Sequence, residues 1–299
     1  MEPEWMSLTT EIWDQTIPDL GTLSSLELVR VMNAQDKTVA LAVEAVLPAV
    51  AEAIQRIVER LKSGGRMFYI GAGTSGRLGI LDAAECPPTF NTDPTMVQAL
   101  IAGGPQAVFE AQEGAEDDLE QGAHDLAAAG AKSGDVVVGI SASGTTPYVL
   151  GALQWARKEG LSTISISCNE RPKAEQVSDI AIAIESGPEV LMGSTRLKAG
   201  TAQKMVLNML STGAMVGLGK TYRNLMVDMR PSNSKLRDRA VRIVMLACDV
   251  NWDRAQQLLE EANGETKVAI AMGLLGTSPE DARQRLAKAG GILGRLTAF

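Results

Sequence analysis

Histidine is nearly absent from this 299-residue sequence, and its scarcity argues against several kinds of catalytic site. The only histidine, His124, lies in the polar stretch EDDLEQGAHDLAAAG, a pattern that favours a solvent-exposed helix. Zinc sites commonly use several histidine ligands, and a Ser-His-Asp triad needs a histidine as its general base. We therefore expect chemistry that depends on neither a metal ion nor such a triad.

Paired cysteines and long apolar runs are also missing. Cys86, Cys168 and Cys248 are odd in number and far apart, which predicts no disulfide framework and fits a reducing compartment. The longest apolar stretch, 205–219, is shorter than a membrane span and contains polar residues. The opening residues MEPEWMSLTTEIWDQ lack the basic and apolar regions of a signal peptide. These features predict a cytoplasmic protein without a membrane span.

An excess of positive charge is missing as well, since the formal net charge is −8. An acidic chain repels phosphate backbones, so DNA and RNA are not expected partners. A small anionic ligand can still bind where helix dipoles and individual basic side chains attract it. We therefore expect a small-molecule ligand rather than a nucleic acid.

What the sequence does contain is an alternation of strand-length apolar runs with helical patterns. The strand-length runs occupy 67–70, 97–102, 135–140, 162–167 and 180–184. The helical patterns occupy 76–84, 105–112, 117–130, 146–159, 172–178 and 197–218. Strands that alternate with helices form right-handed βαβ units. We therefore expect an α/β fold, with a parallel sheet between two layers of helices.

The two ends of the chain have different patterns. Residues 7–22 predict an extended arm, and 25–61 predict helices with a break near Pro48. After 230–233 the strand signal disappears, and the short helices expected there are 234–248, 252–262, 265–274 and 279–288. We therefore predict an arm with helices over 1–64, a sheet-containing domain over 65–233 and a small C-terminal helical domain over 234–299.

Hydroxyl side chains follow two of the predicted strands, at the edge where a parallel sheet binds ligands. Thr74 and Ser75 follow the first strand, and Ser141, Ser143 and Thr145 follow the third. Both loops lead into predicted helices, whose free N–H groups favour anions. Hydroxyl groups add hydrogen-bond donors without adding charge. This combination suits a phosphate monoester that also carries sugar hydroxyls.

The first of these loops contains G-x-G-x-x-G at 71–76, the form of a dinucleotide fingerprint. A dinucleotide site needs an acid at the end of the second strand to hold a ribose hydroxyl, and IAGG at 101–104 has none. A second glycine-rich stretch, GAMVGLGKT at 213–221, has Ala214 where a P-loop needs glycine, and no strand precedes it. We therefore expect no nucleotide and no other organic cofactor.

Two carboxylates are candidates for proton transfer. Glu85 lies in DAAECPPTF, at the end of a helix that its two prolines are expected to stop, with apolar neighbours and no basic residue nearby. A carboxyl group in such surroundings suits a general acid. Glu116 lies in GAEDD, where it either transfers protons or, with 117–118, complements the N-terminus of the next helix.

Six blocks of sequence form a longer pattern that goes beyond these single residues. They are GRMFYIGAGTSGRLGILDAAECPPTF, IAGG, GAEDD, DVVVGISASGTTPYV, GPEVLMGSTRLKAGTAQKMVLNMLST and GKTYRNLMVDMRPSN. Taken in order, they resemble the N-acetylmuramic acid 6-phosphate etherase family, and the similarity runs from about Leu8 into the helical tail. The resemblance implies the sugar isomerase (SIS) fold, a three-layer α/β/α sandwich with a parallel sheet.

The resemblance also implies a reaction on a sugar 6-phosphate that carries a D-lactyl ether at C3. In the open-chain aldehyde a base removes the C2 proton, lactate leaves from C3, and water adds to the unsaturated aldehyde. The implied products are N-acetylglucosamine 6-phosphate and D-lactate, as in the catabolism of cell-wall amino sugars. This route requires one base and one acid, with no metal ion and no redox cofactor.

Matching the family motifs onto this sequence gives the expected site residues. Glu85 corresponds to the proton donor for the departing lactate, and Glu116 corresponds to the second catalytic group, the C2 base. The substrate-binding residues expected with them are Thr74, Ser75, Ser141, Ser143, Thr145, Ser194, Arg196 and Lys198. Arg77 and Lys204 are either counter-charges for the anionic substrate or residues of a helix surface.

Thr145 departs from the family motif, which carries arginine at this place. A threonine keeps a hydrogen-bond donor but lacks the positive charge. The departure therefore bears on phosphate affinity. The resemblance further implies a homodimer in which one protomer helps to close the other's site, with the 8–22 arm and the 197–218 helix as the expected contacts.

Other functions on related folds remain as alternatives. The glucokinase regulatory protein, which resembles this family, senses sugar phosphates without turnover, but it has a duplicated sugar-binding domain and this sequence shows no repeat. A sugar-phosphate isomerase also removes a C2 proton, so Glu116 does not exclude it. Glu85 favours the etherase because an isomerase has no lactate to protonate. A deacetylase would need metal ligands, against which the single histidine argues.

Overall fold

A computed structural model describes residues 8–229 and 234–296 of the chain. These residues form two compact units. The first unit comprises the described residues up to Ala84 together with Thr95–Ser211. The second comprises Glu85–Pro94 and the described residues from Thr212 onward. The predicted division at 64 and 233 follows sequence pattern alone and stays a prediction.

A five-stranded parallel sheet is the centre of the first unit, as predicted. Its strands are β1 (Met67–Gly71), β2 (Val97–Ile101), β3 (Val136–Ile140), β4 (Ser162–Ser167) and β5 (Ile180–Ala183), in the order β2-β1-β3-β4-β5. Every residue of β1, β3 and β4 is buried, which explains the continuous apolar sequence of β1 and β3. In β4 the buried residues also include Ser162, Thr163, Ser165 and Ser167. In the register Gly71 pairs with both Ile101 and Ile140, so the carboxyl ends of three neighbouring strands lie at one edge.

Helices cover both faces of this sheet. The helices that begin in the first unit are α1 (Ser25–Asp36), α2 (Val39–Ala45), α3 (Leu47–Lys62), α4 (Gly73–Phe90), α5 (Gln121–Ala128), α6 (Pro147–Lys158), α7 (Lys173–Gln176) and α8 (Lys198–Gly217). Helix α6 packs so closely on one face that a Cβ atom at Gly139 would lie 2.8 Å from Leu153. Helix α4 covers the other face, where Gly79 lies against Tyr69. The predicted three-layer arrangement is confirmed.

The helix boundaries agree with the predictions at Pro48 and differ from them at 105–112 and 117–130. The break near Pro48 is confirmed, because α2 ends at Ala45 and Pro48 lies in the first turn of α3. The predicted helix at 105–112 is wrong, since only a single 3₁₀ turn forms at Pro105–Val108. The predicted helix at 117–130 shortens to α5, because Asp118 accepts hydrogen bonds from the backbone at 120–121 and starts the helix there. The predicted arm contains two short 3₁₀ turns.

The prolines of α4 do not stop the helix, contrary to the prediction. Helix α4 continues through Pro87 and Pro88 to Phe90. Both prolines lie in its last turns, where their missing N–H groups cost only two hydrogen bonds. The helix ends at Asn91, whose N–H donates to the Pro87 carbonyl at 2.9 Å and whose φ of 50° is left-handed.

The second unit is a small helical bundle with one hairpin. Four helices begin within its described residues and match the predicted ones closely: α9 (Ser234–Cys248), α10 (Trp252–Glu261), α11 (Thr266–Leu275) and α12 (Pro279–Lys288). Asn251 and Ser278 accept the backbone hydrogen bonds that cap α10 and α12. A two-stranded antiparallel hairpin, β6 (Thr221–Tyr222) and β7 (Leu225–Met226), was not predicted. Its strands are too short to show a period of two.

No single helix within 8–229 and 234–296 combines the length and apolarity needed to cross a membrane. One bent pair, Ser25–Ala45 with Leu47–Lys62, meets the requirement by length and composition only.

Candidate active site

A cavity of about 480 Å³ lies in the first unit at the carboxyl edge of the sheet. Loops after β1 and β3, the segment before α8 and the N-terminal arm form its walls. Its polar lining consists of Glu11, Thr74, Ser75, Glu116, Asp117, Ser141, Ser143, Thr145, Thr146 and Thr195. Hydroxyl groups therefore dominate the surface offered to a ligand.

The loop after β3 is a chain of hydroxyl groups bonded to one another. The Ser141 hydroxyl lies 2.8 Å from that of Thr146 and 3.3 Å from that of Ser143. The Thr145 hydroxyl donates to Ser143 at 2.9 Å. Backbone N–H groups of Gly144 and Thr145 donate to the same serines at 2.9 and 3.1 Å. Since hydroxyl hydrogens rotate, this loop can turn several donors toward an anionic ligand.

Glycines in the loop after β1 allow close packing of strands and helix. A Cβ atom at Gly71 would lie 3.0 Å from the Ile140 carbonyl oxygen, and one at Gly76 would lie 2.6 Å from Ile101. The first and third glycines of G-x-G-x-x-G are thus required by neighbouring strands, without any dinucleotide. Ser75 is buried and donates to the Gln203 side chain on α8 at 2.9 Å, whereas Thr74 is half-buried.

Glu116 lies on the cavity wall in a single 3₁₀ turn, Ala115–Asp117, and its side chain is exposed. The alternative role at a helix N-terminus belongs to a neighbour, because Asp118 accepts the bonds that start α5. Within the described residues the Glu116 carboxylate makes no hydrogen bond or ion pair. This leaves it available to a ligand in the cavity.

The N-terminal arm contributes residues that sequence reasoning missed. Thr10 is fully buried, and its N–H donates to Asn169 at 3.3 Å, just beyond the end of β4. Its carbonyl accepts a hydrogen bond from Gly193 at 3.3 Å. These bonds bring Leu8 and Glu11 to the cavity wall. The sequence LTTE was the only signal that could have indicated this part of the site. The position of the arm depends on contacts with residues far along the chain, which the sequence pattern does not show.

Comparison with known proteins extends these observations to nearly the whole chain. A model of the glucokinase regulatory protein N-terminal SIS domain matches residues 49–157, and a SIS domain model matches 117–213. N-acetylmuramic acid 6-phosphate etherase from Cutibacterium acnes is 53% identical over 95% of this chain and 94% of its own. The protein of that name from Symbiobacterium thermophilum is 58% identical over 90% of this chain and 89% of its own. The chain belongs to the N-acetylmuramic acid 6-phosphate etherase family.

The SIS fold that the etherase family resemblance implied is likewise supported by a solved structure. A putative phosphosugar isomerase involved in capsule formation from Bacteroides fragilis has a TM-score of 0.50 and 20% identity, and the match covers 64% of this chain and 91% of that one. At this identity the likeness concerns the fold alone. The prediction of a SIS-type α/β/α sandwich is confirmed.

Three of the predicted site residues are close in sequence to residues that line the cavity, but they do not line it themselves. Ser194 and Arg196 alternate with Gly193 and Thr195, which do line it. Lys198 is buried, and its ammonium group donates to Gln35 of α1 at 2.9 Å. Burial lowers the pKa of Lys198, while the nearby Glu189 acts in the opposite direction. Contact of these three residues with a substrate stays a prediction.

Glu85, the other predicted catalytic acid of the family motif, belongs to the second unit and is exposed. Along α4, the exposed residues Leu81, Ala84, Glu85 and Pro88 form one stripe at helical spacing. The neighbours of Glu85 on this stripe are apolar, as expected, but they are exposed with it, so they do not bury its carboxyl group. Its catalytic role stays a prediction from the family motif.

The charge of the 480 Å³ cavity at the sheet edge, called the main cavity below, determines which chemistry it can support. Three carboxylates, Glu11, Glu116 and Asp117, line it, and none of its lining residues is Lys or Arg. An anionic group must be held there by hydroxyl and backbone N–H donors, while the carboxylates suit proton transfer. No group of three or more His, Cys, Asp and Glu in the described part of the chain is arranged to hold a metal ion.

Proposed function

We propose that this chain is an N-acetylmuramic acid 6-phosphate etherase that releases D-lactate and forms N-acetylglucosamine 6-phosphate. The observation that carries the proposal is identity of 50–58% to enzymes of that name over nearly the whole chain. The hydroxyl-lined cavity with Glu116 on its wall supports it. A phosphorylated sugar offers hydroxyls and a phosphate for such a surface.

The proposed chemistry is elimination followed by addition of water. Glu116 removes the C2 proton of the open-chain aldehyde, and the electron pair forms the C2–C3 double bond as the C3–O bond breaks. Glu85 gives its proton to the departing lactate oxygen. Water then adds its hydroxyl at C3 and a proton returns to C2, so the sum is hydrolysis of the ether. Each proton-transfer group contributes about 10²–10⁴-fold to the rate.

Substrate binding in this proposal follows the loops. Ser141, Ser143 and Thr145 bind the phosphate, while Thr74 and Ser75 bind the sugar. Ser194, Arg196 and Lys198 complete the site as the family motif implies. The mutual hydrogen bonds of the β3 loop support the first assignment, because an anion can replace them one for one.

A homodimer in the cytoplasm completes the proposed function. Large apolar side chains are exposed on the arm and on the first two helices, with Trp13 at 68%, Leu26 at 57% and Leu41 at 68% of full exposure. Such side chains favour an interface between protein surfaces. The proposal that a second copy of this chain covers them is consistent with the expected contact through the arm.

The decisive experiment mixes the purified protein with N-acetylmuramic acid 6-phosphate in H₂¹⁸O and analyses both products by mass spectrometry. Elimination and re-addition place the label on C3 of the sugar and leave lactate unlabelled. Label in lactate would contradict the mechanism, because it would mean attack of water on the lactyl carbon. Absence of D-lactate with a folded protein would contradict the enzyme assignment itself.

A sugar-phosphate-sensing regulator is the second candidate, because the SIS model of the glucokinase regulatory protein matches 49–157. It predicts saturable binding of the sugar phosphate, measured by calorimetry, without release of lactate. An isomerase would instead interconvert aldose and ketose phosphates and leave the ether intact. The same product analysis separates all three functions.

A further inference from the structure

A small cavity of about 180 Å³ adjoins the main one in the first unit and shares Ala72, Gly73 and Glu116 with it. Five of its eleven lining residues are alanines, Ala72, Ala102, Ala107, Ala111 and Ala115, and beside them lie Gly73, Gly114 and the polar side chain of Gln112. The charged residues that line it are Arg77, Glu113 and Glu116. The proposed reaction leaves this second cavity without a role.

Arg77 is held in a defined orientation at this cavity. It lies in the second turn of α4, is half-buried, and donates through Nε to the Val108 carbonyl at 2.9 Å. This bond uses one donor and leaves the two terminal NH₂ groups for another acceptor. Among the residues that line either cavity, Arg77 is the one Lys or Arg. A cationic, planar donor in a cavity with five alanine methyl groups suits a carboxylate attached to a small alkyl group.

The proposed substrate has such a group next to the reacting carbon. The D-lactyl ether at C3 carries one methyl and one carboxylate, and C3 is bonded to C2, the carbon whose proton Glu116 removes. Because Glu116 lies on both cavities, a sugar with C2 at Glu116 has its C3 substituent beside the small one. The hydroxyl loop after β3 can hold the phosphate at the other end of the molecule.

We propose that Arg77 binds the lactyl carboxylate and that the alanine-lined cavity receives the lactyl methyl group. This inference rests on the proposed function and names the residue that selects a lactyl ether over other 3-ethers. Glu113 and Glu116 oppose a second anion there, so the pair with Arg77 must supply the attraction. Selection would therefore be sensitive to loss of this single cation.

The competing occupant of the cavity is the acetamido group at C2, whose methyl would also fit alanine walls. The lactyl group carries a negative charge and the acetamido group is neutral, so the experiment compares substrates that differ in the charge of the lactyl group. The probes are the natural substrate and its lactamide analogue, in which the carboxylate becomes a neutral amide of nearly the same shape. Release of lactate or lactamide is measured by mass spectrometry for the wild type and for Arg77→Gln and Arg77→Lys.

We expect Arg77→Gln to lower kcat/KM for the natural substrate by about 10²-fold and for the lactamide analogue by less than about 3-fold, since only the former has a charged partner. Arg77→Lys should fall between, because lysine keeps the charge but lacks the planar fork. Arg157→Gln is the matched control. Arg157 is exposed, also donates to a backbone carbonyl, and lines neither cavity.

Equal losses on the two substrates would overturn the inference, because they indicate that Arg77 only supports the loop at Val108. A loss that depends on the N-acetyl group, tested with the substrate that lacks it, would assign the cavity to the acetamido group instead. If the wild type releases no lactate, the proposed function fails and takes this assignment with it. An active wild type with an unselective Arg77→Gln variant overturns the inference alone.

Discussion

At the scale of single residues, Glu116 and Asp118 belong to one acidic cluster, and we expect substitutions at the two positions to have different effects. Glu116→Gln should lower lactate release by at least about 10²-fold while leaving the melting temperature unchanged, because a glutamine cannot accept the C2 proton. Asp118→Ala should do the reverse and destabilise the protein by about 1 kcal/mol, since it removes the bonds that start α5.

Lactate assays and thermal unfolding on both variants check this difference. Two results would contradict this prediction: full activity in Glu116→Gln, or an activity loss in Asp118→Ala that is not matched by a loss of stability.

Thr145 lies where the family motif, as the resemblance implies it, carries arginine, and no Lys or Arg lines the main cavity. Thr145→Arg should therefore lower KM for the sugar phosphate by about tenfold, since a charged donor replaces a neutral one in the phosphate loop. Steady-state kinetics at two salt concentrations measure it, because screening should reduce the gain. Thr145→Gln, which adds length without charge, is the control. An unchanged KM would place the phosphate elsewhere.

Asp82 gives the fold a pH dependence of known sign. Burial raises its pKa above the ordinary value of 3.8, against hydrogen bonds from Tyr69, Asn208 and Ser211 that lower it. A raised pKa in the folded state means that folding favours the protonated form, so this contribution to stability is lost as pH rises above 3.8. Asp82→Asn should remove that part of the dependence. Urea unfolding of the wild type and of Asp82→Asn at pH values from below 3.8 upward measures this effect. Parallel curves of unfolding free energy against pH for the two proteins would contradict it.

At the scale of elements, the loop between β1 and α4 is determined by packing. Gly76→Ala would place a methyl group 2.6 Å from Ile101 and 2.7 Å from the Gly71 carbonyl oxygen, so it should lower the free energy of unfolding by about 2 kcal/mol. Gly200→Ala on α8 meets only ordinary contacts, the nearest at 3.4 Å, and should be neutral or slightly stabilising. Chemical denaturation compares the two, and equal stability would contradict the packing argument.

The elements also show how far sequence alone reaches. The five strands were predicted within one residue at each end, because each is a short run that contains apolar or β-branched residues and is bounded by turn residues. The hairpin at Thr221–Met226 has strands too short for any period. Glu11 was missed because its place at the cavity depends on hydrogen bonds from Thr10 to a residue 159 positions away. Serines and threonines at strand ends were predictable because parallel strands bring their carboxyl ends together.

At the scale of the whole molecule, the exposed apolar side chains of the arm and the first helices lead to a prediction about assembly. Leu41→Glu should shift the protein from dimer to monomer in sedimentation velocity, because it places a charge in the proposed interface. Leu246→Glu is the matched control, as Leu246 is also exposed, at 55%, but lies on α9. A wild type that sediments as a monomer, or equal effects of both variants, would contradict the proposed dimer.

The docking of Thr10 beside Asn169 also has a consequence for synthesis. Thr10 precedes Asn169 by 159 residues, so the arm leaves the ribosome well before the strand end that receives it. Until then the main cavity lacks the part of its wall that Leu8 and Glu11 form, and we expect no turnover by a nascent chain that holds only the earlier strands. We therefore expect activity only after the segment that contains Asn169 has been translated and has bound the arm.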